Sequence, residues 1–349
     1  MPRIRIVNQS ITLLAADQTI LDAALAADLP YPYGCRAGTC GTCKARLLQG
    51  RVDSEPHAAE ALSDAEAAAG LILACRATPR SDVVIECLGE WLDALPPVRH
   101  LQARVVALET VARAVTRLHL EVYGQPLCFL PGQYAELSFG GRPVRAYSMA
   151  NPPDDPTLEF HIRHFGGVAS GYVTRHLGIG ALVDVHGPYG SAYLREPPRP
   201  LVALAGSTGL APIRSILLTA LARGHQTLMH LFLGVRDEPD LYGLDELTAL
   251  AEQHPNLRIT PMLSEPEGPT RFRTGLVHEA LAETFASLAG YNIHLAGPPA
   301  MVEAATAAAL ALGAERQAIL ADAFVPTSPA RPARLGWLSS LLRVTGRGL

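Results

Sequence analysis

Residues 31–44, YPYGCRAGTCGTCK, hold three of the chain's six cysteines and decide how the rest is read. Cys35, Cys40 and Cys43 give C-x4-C-x2-C, and Cys75 follows alone in LILACRA. Gly34, Gly38 and Gly41 let such a loop wrap closely and turn backbone N–H groups toward the sulfurs. A structural zinc site usually pairs two C-x2-C units, and a redox dithiol needs only one. The x4 spacing and the lone Cys75 fit neither. Cys87 and Cys128 sit in apolar contexts, VVIECL and PLCFLP, and read as buried small hydrophobes.

The spacing resembles that of the plant-type [2Fe–2S] ferredoxins, in which four thiolates hold two irons. That resemblance implies Cys35, Cys40, Cys43 and Cys75 as metal ligands and a β-grasp fold over residues 1–94. The local pattern agrees. Arg3 to Val7 and Ser10 to Leu14 alternate like two strands with a hairpin at Asn8-Gln9, and Thr19 to Ala26 carries a helical face of Ile20, Leu21, Ala24 and Leu25. Ala45 to Leu48 and Val83 to Cys87 read as strands, and Ser63 with Glu66 as a capping box.

At 349 residues the chain exceeds one core, so two or three domains are expected. Its formal charge of −4 and even mixture of charged residues indicate no nucleic-acid face. The first residues lack the pattern of a signal peptide, and no apolar run approaches the roughly 20 residues that span a bilayer. A cytoplasmic setting with reduced thiols is therefore expected. Lys44 is the only lysine, a bias that reads as codon usage.

Ala94-Leu95-Pro96-Pro97 reads as a stiff linker. Residues 98–197 then show short strands separated by Gly and Pro turns: Gln102 to Leu108, Val115 to Val122, Tyr134 to Phe139, Arg145 to Met149, Thr157 to Ile162 and Leu182 to His186. Such spacing suggests an antiparallel β-barrel. Arg145-Ala146-Tyr147-Ser148 interrupts it, and Gly166-Gly167-Val168-Ala169-Ser170 precedes a helical stretch from Tyr172 to Leu177 whose N-terminus suits a phosphate. Together these resemble the flavin barrel of the ferredoxin–NADP⁺ reductase superfamily, with its R-x-Y-S signature. The resemblance implies FAD, with Arg145 on its pyrophosphate, Tyr147 packed on the isoalloxazine and Ser148 near flavin N5. Gly167 and Ser170 match the second phosphate-contacting stretch, with Arg163 adding charge. His161, His164, His176 and His186 read as surface or packing residues.

Beyond Pro197-Pro198-Arg199-Pro200, strands and helices alternate across residues 200–325, which argues for an α/β domain on a parallel sheet. Its expected strand ends, among them Gly206-Ser207-Thr208-Gly209 and Gly297-Pro298-Pro299, gather glycine turns on one edge, where such sheets bind ligands. GSTGLAP and AGPPAM resemble the nicotinamide half of the same superfamily. The resemblance implies NAD(P)H, with Gly206, Thr208 and Gly209 on the dinucleotide and Gly297, Pro298 and Pro299 beside the nicotinamide. Ala296 stands where many relatives have cysteine, and Phe324 falls where relatives shield the flavin. Arg236 suits a 2′-phosphate and Asp237 a ribose hydroxyl, and the balance of the reading favours NADH, with NADPH tolerated.

The order ferredoxin, flavin barrel, nicotinamide domain resembles the reductase components of ring-hydroxylating dioxygenases. It implies an oxidoreductase that takes a hydride from NAD(P)H and passes single electrons through FAD and [2Fe–2S] to a Rieske-type ferredoxin or oxygenase partner. A reductase for a di-iron monooxygenase or a deoxysugar dehydratase shares this architecture. A redox-sensing binding protein is the reading from another class. Residues 326–349 form a basic tail that reads as disordered, with Leu335, Trp337, Leu338, Leu341 and Leu342 offering a docking helix as the alternative.

Overall fold

The computed structural model describes residues 1–27, 29–89, 91 and 95–324. The tail and part of the expected linker lie outside the described residues.

The first domain runs β1 (Arg3–Ile6), β2 (Ile11–Leu14), α1 (Ile20–Ala26), β3 (Lys44–Gln49), β4 (Val52–Ser54), α2 (Asp64–Ala68), β5 (Leu71–Leu73), β6 (Ala77–Pro79) and β7 (Val83–Cys87). Its main sheet has the order β2-β1-β7-β3-β5, with the first and last strands parallel at its centre. Ile20, Leu21 and Ala24 of α1 bury themselves in one cluster with Ile4, Ile6 and Ile85, as a β-grasp fold requires. Thr19 starts α1 by accepting a hydrogen bond from Asp22 N at 3.1 Å, and Ser63 with Glu66 forms the expected capping box on α2. The tip of the first hairpin is a 3₁₀ turn over Val7–Gln9, and Asn8 there exchanges two hydrogen bonds with the backbone of Cys87.

The second domain runs β8 (Arg99–Ala112), β9 (Val115–Val122), β10 (Tyr134–Ser138), β11 (Arg145–Ser148), β12 (Thr157–Arg163), α3 (Val168–Arg175) and β13 (Leu182–Tyr189). The order β11-β10-β13-β8-β9-β12 is antiparallel throughout, and a bridge between Met149 and Phe160 draws the two edges together into a barrel. Phe139, Phe160, Leu118 and Leu120 fill it. Helix α3 starts at Val168, four residues before the expected Tyr172, so Ser170 lies inside its first turn. The Gly166-Gly167 turn frees the chain to coil at once, and Ala169 and Val173, one turn apart, are both buried.

The third domain runs β14 (Leu201–Gly206), α4 (Leu210–Ala222), β15 (Met229–Val235), α5 (Leu244–Gln253), β16 (Leu257–Leu263), β17 (Arg273–Thr274), α6 (Val277–Thr284), β18 (Asn292–Gly297), α7 (Pro299–Ala311) and β19 (Ile319–Ala323). All six strands are parallel in the order β17-β16-β15-β14-β18-β19. Strand order reverses between β14 and β18, the place where open parallel sheets take ligands. All six residues of β14 are buried, as a strand covered on both faces demands.

Cys87 is buried as expected, but Cys128 is exposed. The apolar run around Cys128 buries Leu127 and Phe129 instead, and alternation turns the cysteine outward. Among the described residues no helix is long and apolar enough to cross a membrane.

Candidate functional site

The four cysteines meet in two pairs. The Cys35 and Cys40 thiols interact with each other, as do those of Cys43 and Cys75, and Ala74 N donates to Cys43 O at 3.0 Å to bring the Cys75 turn in. The loop points amides at sulfur as the glycines suggested. Ala37 N and Thr39 N donate to Cys35 Sγ at 3.4 and 3.3 Å, and Cys35 N donates to Cys40 Sγ at 3.4 Å. A Cβ on Gly34 would lie 3.0 Å from Cys40 Sγ, so glycine is what lets the chain pass the thiol. The Cys40 contact draws the Cys35 thiol down, and the same contact pushes Cys40 up. Among the described residues no three ligating side chains converge on one point. Two thiol pairs backed by amides fit a binuclear cluster better than a single zinc ion.

On the barrel, Arg145 and Tyr147 of β11 share one face, and Ser148 lies buried on the other. The Arg145 guanidinium donates only to Val144 O at 2.8 Å and pairs with no carboxylate among the described residues. The Arg142 guanidinium lies 3.3 Å from the Tyr172 ring, which seats the β10–β11 turn against α3. The α3 N-terminus at Gly167 has no side-chain cap, and Phe165 and Val168 beside it are exposed. An open guanidinium and uncapped amides are each what an FAD pyrophosphate needs. Ser170 Oγ donates to Gly167 O at 3.4 Å. Burial pushes the Tyr147 phenol up to about 12.

In the third domain Gly206, Thr208, Gly209 and Gly297 gather at the switch point. A Cβ on Gly209 would lie 2.0 Å from Ala296 O, and one on Gly297 would lie 3.0 Å from the Gly206 backbone. Pro298 and Pro299 open α7 beside them. Arg163, expected beside FAD by resemblance, donates across to Ser207 Oγ at 2.9 Å, at the mouth of this turn. Arg236 is exposed there, and its guanidinium has no hydrogen-bond or ion-pair partner among the described residues. The Asp237 carboxylate accepts from Glu267 N at 3.3 Å and from Arg113 at 3.4 Å, so it is already engaged.

The three regions touch at Asp322 of β19, which the sequence reading missed. Ser148 Oγ donates to Asp322 Oδ2 at 3.4 Å. Gly34 from the cluster loop, Tyr134 and Gly190 from the barrel, and Ala321 with Asp322 line one narrow cleft. Burial first, then the nearby Cys35 charge, pushes the Asp322 carboxyl up to about 7. Asp322 pairs in register with Ala296, and Phe324 N donates to Gly297 O at 2.8 Å, which fixes Phe324 on this edge. A lone carboxylate among alanines in ADAF was the available signal.

Domain families match in the same order: a 2Fe-2S iron-sulfur cluster binding domain over residues 5–80, an oxidoreductase FAD-binding domain over 102–193, and an oxidoreductase NAD-binding domain over 203–307. The chain is 38% identical over 314 residues to the ferredoxin–NAD(P)⁺ reductase component of naphthalene 1,2-dioxygenase/salicylate 5-hydroxylase systems from a Ralstonia species, covering 88% of this chain and 94% of that one. It belongs to the iron–sulfur flavoprotein reductases. The reductase subunit of an aromatic O-demethylase from an Amycolatopsis species is 39% identical over 89% of this chain and 95% of its own. The crystal structure of an Amycolatopsis cytochrome P450 reductase superposes with a TM-score of 0.81 at 36% identity, covering 94% of this chain and all of that one. This reductase is an oxidoreductase that carries electrons from NAD(P)H through FAD to a [2Fe–2S] cluster.

Proposed function

We propose that this reductase supplies single electrons to an aromatic-ring dioxygenase system, through a Rieske-type ferredoxin or directly to the oxygenase, in the cytoplasm. The two relatives described above serve a naphthalene 1,2-dioxygenase/salicylate 5-hydroxylase system and an aromatic O-demethylase, and aromatic substrates are what those two share. All six cysteines are free, which suits a reducing compartment. The observation that carries the reading is the cleft in which the cluster loop, the flavin strand and the nicotinamide edge meet around Asp322.

In that reading Cys35, Cys40, Cys43 and Cys75 hold the cluster. Arg145 and the Gly167–Ser170 turn hold the FAD pyrophosphate, Tyr147 packs on the ring, and Ser148 bonds near its reactive nitrogen. Gly206, Thr208, Gly209, Gly297, Pro298 and Pro299 cradle the dinucleotide, Phe324 covers the flavin, and Arg163 braces the cradle through Ser207. Bound FAD supplies the change from hydride to single electrons. One NADH yields NAD⁺, one proton and two reduced one-electron acceptors. Ala296 leaves no thiol at the nicotinamide, and hydride transfer requires none. With Asp237 engaged and Arg236 open, we propose that NADPH is tolerated beside a preferred NADH. Domain limits at 1–94, 98–197 and 200–325 are supported by sheets that end at Cys87 and Tyr189.

Cys35→Ser tests the electron order. It is expected to keep FAD reduction by NADH and to abolish reduction of cytochrome c. Undiminished cytochrome c reduction by a variant lacking its cluster would show electrons leaving from flavin. Rates with a purified Rieske ferredoxin, a di-iron hydroxylase and a cytochrome P450 would then separate the acceptors.

A further inference from the structure

The cluster loop is fastened to the barrel at a point no sequence motif marks. Arg36, next to Cys35, adopts a left-handed backbone conformation with φ of 54°. Only about a quarter exposed, its guanidinium faces two carboxylates from two domains. Nη2 donates to Asp22 Oδ1 of α1 at 3.2 Å, and Nη1 donates to Glu136 Oε1 of β10 at 2.9 Å. It also lies 4.6 Å from the centre of the Tyr189 ring, and that ring packs against Tyr134. Gly190 N donates to Tyr33 OH at 3.1 Å. Tyr33 and Arg36 therefore both reach the barrel, and the ligand residue Cys35 lies between them.

The far end of this fastening is as informative. Glu136 sits opposite Ala146 in the β10–β11 ladder, between the partners of Arg145 and Tyr147, and Tyr134 sits opposite Ser148. Adjacent strands lie about 4.8 Å apart, so Glu136 is one strand from the residues that hold the flavin. A charge-assisted hydrogen bond joins the strand beside the flavin to the residue beside a cluster ligand.

We propose that Arg36 is a positioning residue for electron transfer: by bridging Asp22 to Glu136 it holds the cluster loop against β10 and so sets how fast electrons pass from flavin to cluster. Its two partners divide the possibilities. The Asp22 contact lies within the first domain and serves the loop's own shape. The Glu136 contact crosses the domain boundary and serves the dock. A charged partner at each end is expected to matter for transfer only where it crosses.

The test uses Glu136→Gln and Asp22→Asn in the FAD- and cluster-loaded enzyme, neither of which alters the loop sequence. Cluster content is read from absorbance and the electron paramagnetic resonance of the reduced protein. Stopped-flow mixing with NADH then follows flavin and cluster bleaching separately. In Glu136→Gln, flavin bleaching is expected to be unchanged and cluster bleaching slowed about tenfold to a hundredfold, the scale of a small misplacement of reacting groups. Amide hydrogen exchange over residues 36–39 should quicken in the same variant. Asp22→Asn should leave cluster bleaching within about twofold, and Arg36→Lys should recover part of what Arg36→Met loses. Equal cluster bleaching in Glu136→Gln and the parent would overturn the proposal. Slowing by Asp22→Asn alone would overturn it too, by assigning Arg36 to the loop's internal shape. If Arg36→Met fails to retain its cluster, Glu136→Gln decides.

Discussion

The barrel is fastened to its two neighbours in opposite ways. Toward the nicotinamide domain the contact is a lattice of charges centred on the buried Glu159. Glu159 accepts from His161 Nε2 at 2.9 Å and Arg214 Nη1 at 3.1 Å, and Arg117 Nε lies 3.3 Å away. Both arginines continue to Glu246, and Tyr242 OH bonds His161 Nδ1 at 3.0 Å. Burial pulls the His161 imidazole below its ordinary range, against the Glu159 carboxylate that favours its charged form. Toward the ferredoxin domain one guanidinium does most of the polar work, with side chains about a quarter exposed at all three positions. The lattice around buried Glu159 can hold a fixed geometry for hydride transfer, while the Arg36 bolt leaves an interface that small changes can loosen.

Removing the hub of the lattice is the hardest blow. Glu159→Ala leaves Arg117 and Arg214 with Glu246 as their one carboxylate and His161 Nε2 without its acceptor, and breaking a buried charged pair from one side costs about 3–5 kcal/mol. Urea unfolding followed by flavin fluorescence should register that loss. A loss below about 1 kcal/mol would make the lattice no stronger than a surface pair and would break the comparison.

Acid should reach the same lattice with a smaller effect. Burial pushes the Glu159 carboxyl up, but the His161 hydrogen bond and the two arginines outweigh it and bring it down to about 2. A carboxyl lowered on folding adds stability that is fully present above its ordinary value of 4.5 and is lost as pH falls through 2. At about 1.4 kcal/mol per unit this amounts to about 3 kcal/mol. Unfolding free energies from pH 6 to pH 2.5 should fall in the parent and much less in Glu159→Gln. Parallel curves would place the acid-sensitive group elsewhere.

How far each fastening could be read from sequence follows from the distances along the chain. The cysteine loop, R-x-Y-S and GSTGLAP are local, and with them came the three folds and their order. The capping box of Ser63 and Glu66 and the stop of β9 at Val122 were legible for the same reason. Arg36 lay in the first stretch quoted and still read as spacing, because Glu136 is one hundred residues away. Asp322 meets Ser148 across 174 residues, and nothing local marks either contact. Strands β4, β5 and β6 escaped because three residues are too few to show alternation. The charges and glycines were visible, but their partners were not.

The smallest expected effect is the one that separates holding from positioning. Glu136 is pushed up by burial and drawn below its ordinary range by His186 and Arg36, and its side chain keeps more than a quarter of its surface in solvent. A pair so placed contributes about 1 kcal/mol or less to folding. Glu136→Gln, which keeps the shape and one acceptor oxygen, should therefore shift the urea midpoint hardly at all. If it nonetheless slows cluster reduction, the bolt acts on geometry and not on stability, which no loss of folding free energy could imitate. A cost of 3 kcal/mol or more would make it a second lattice in miniature, and the two sides of the barrel would then differ in extent but not in kind.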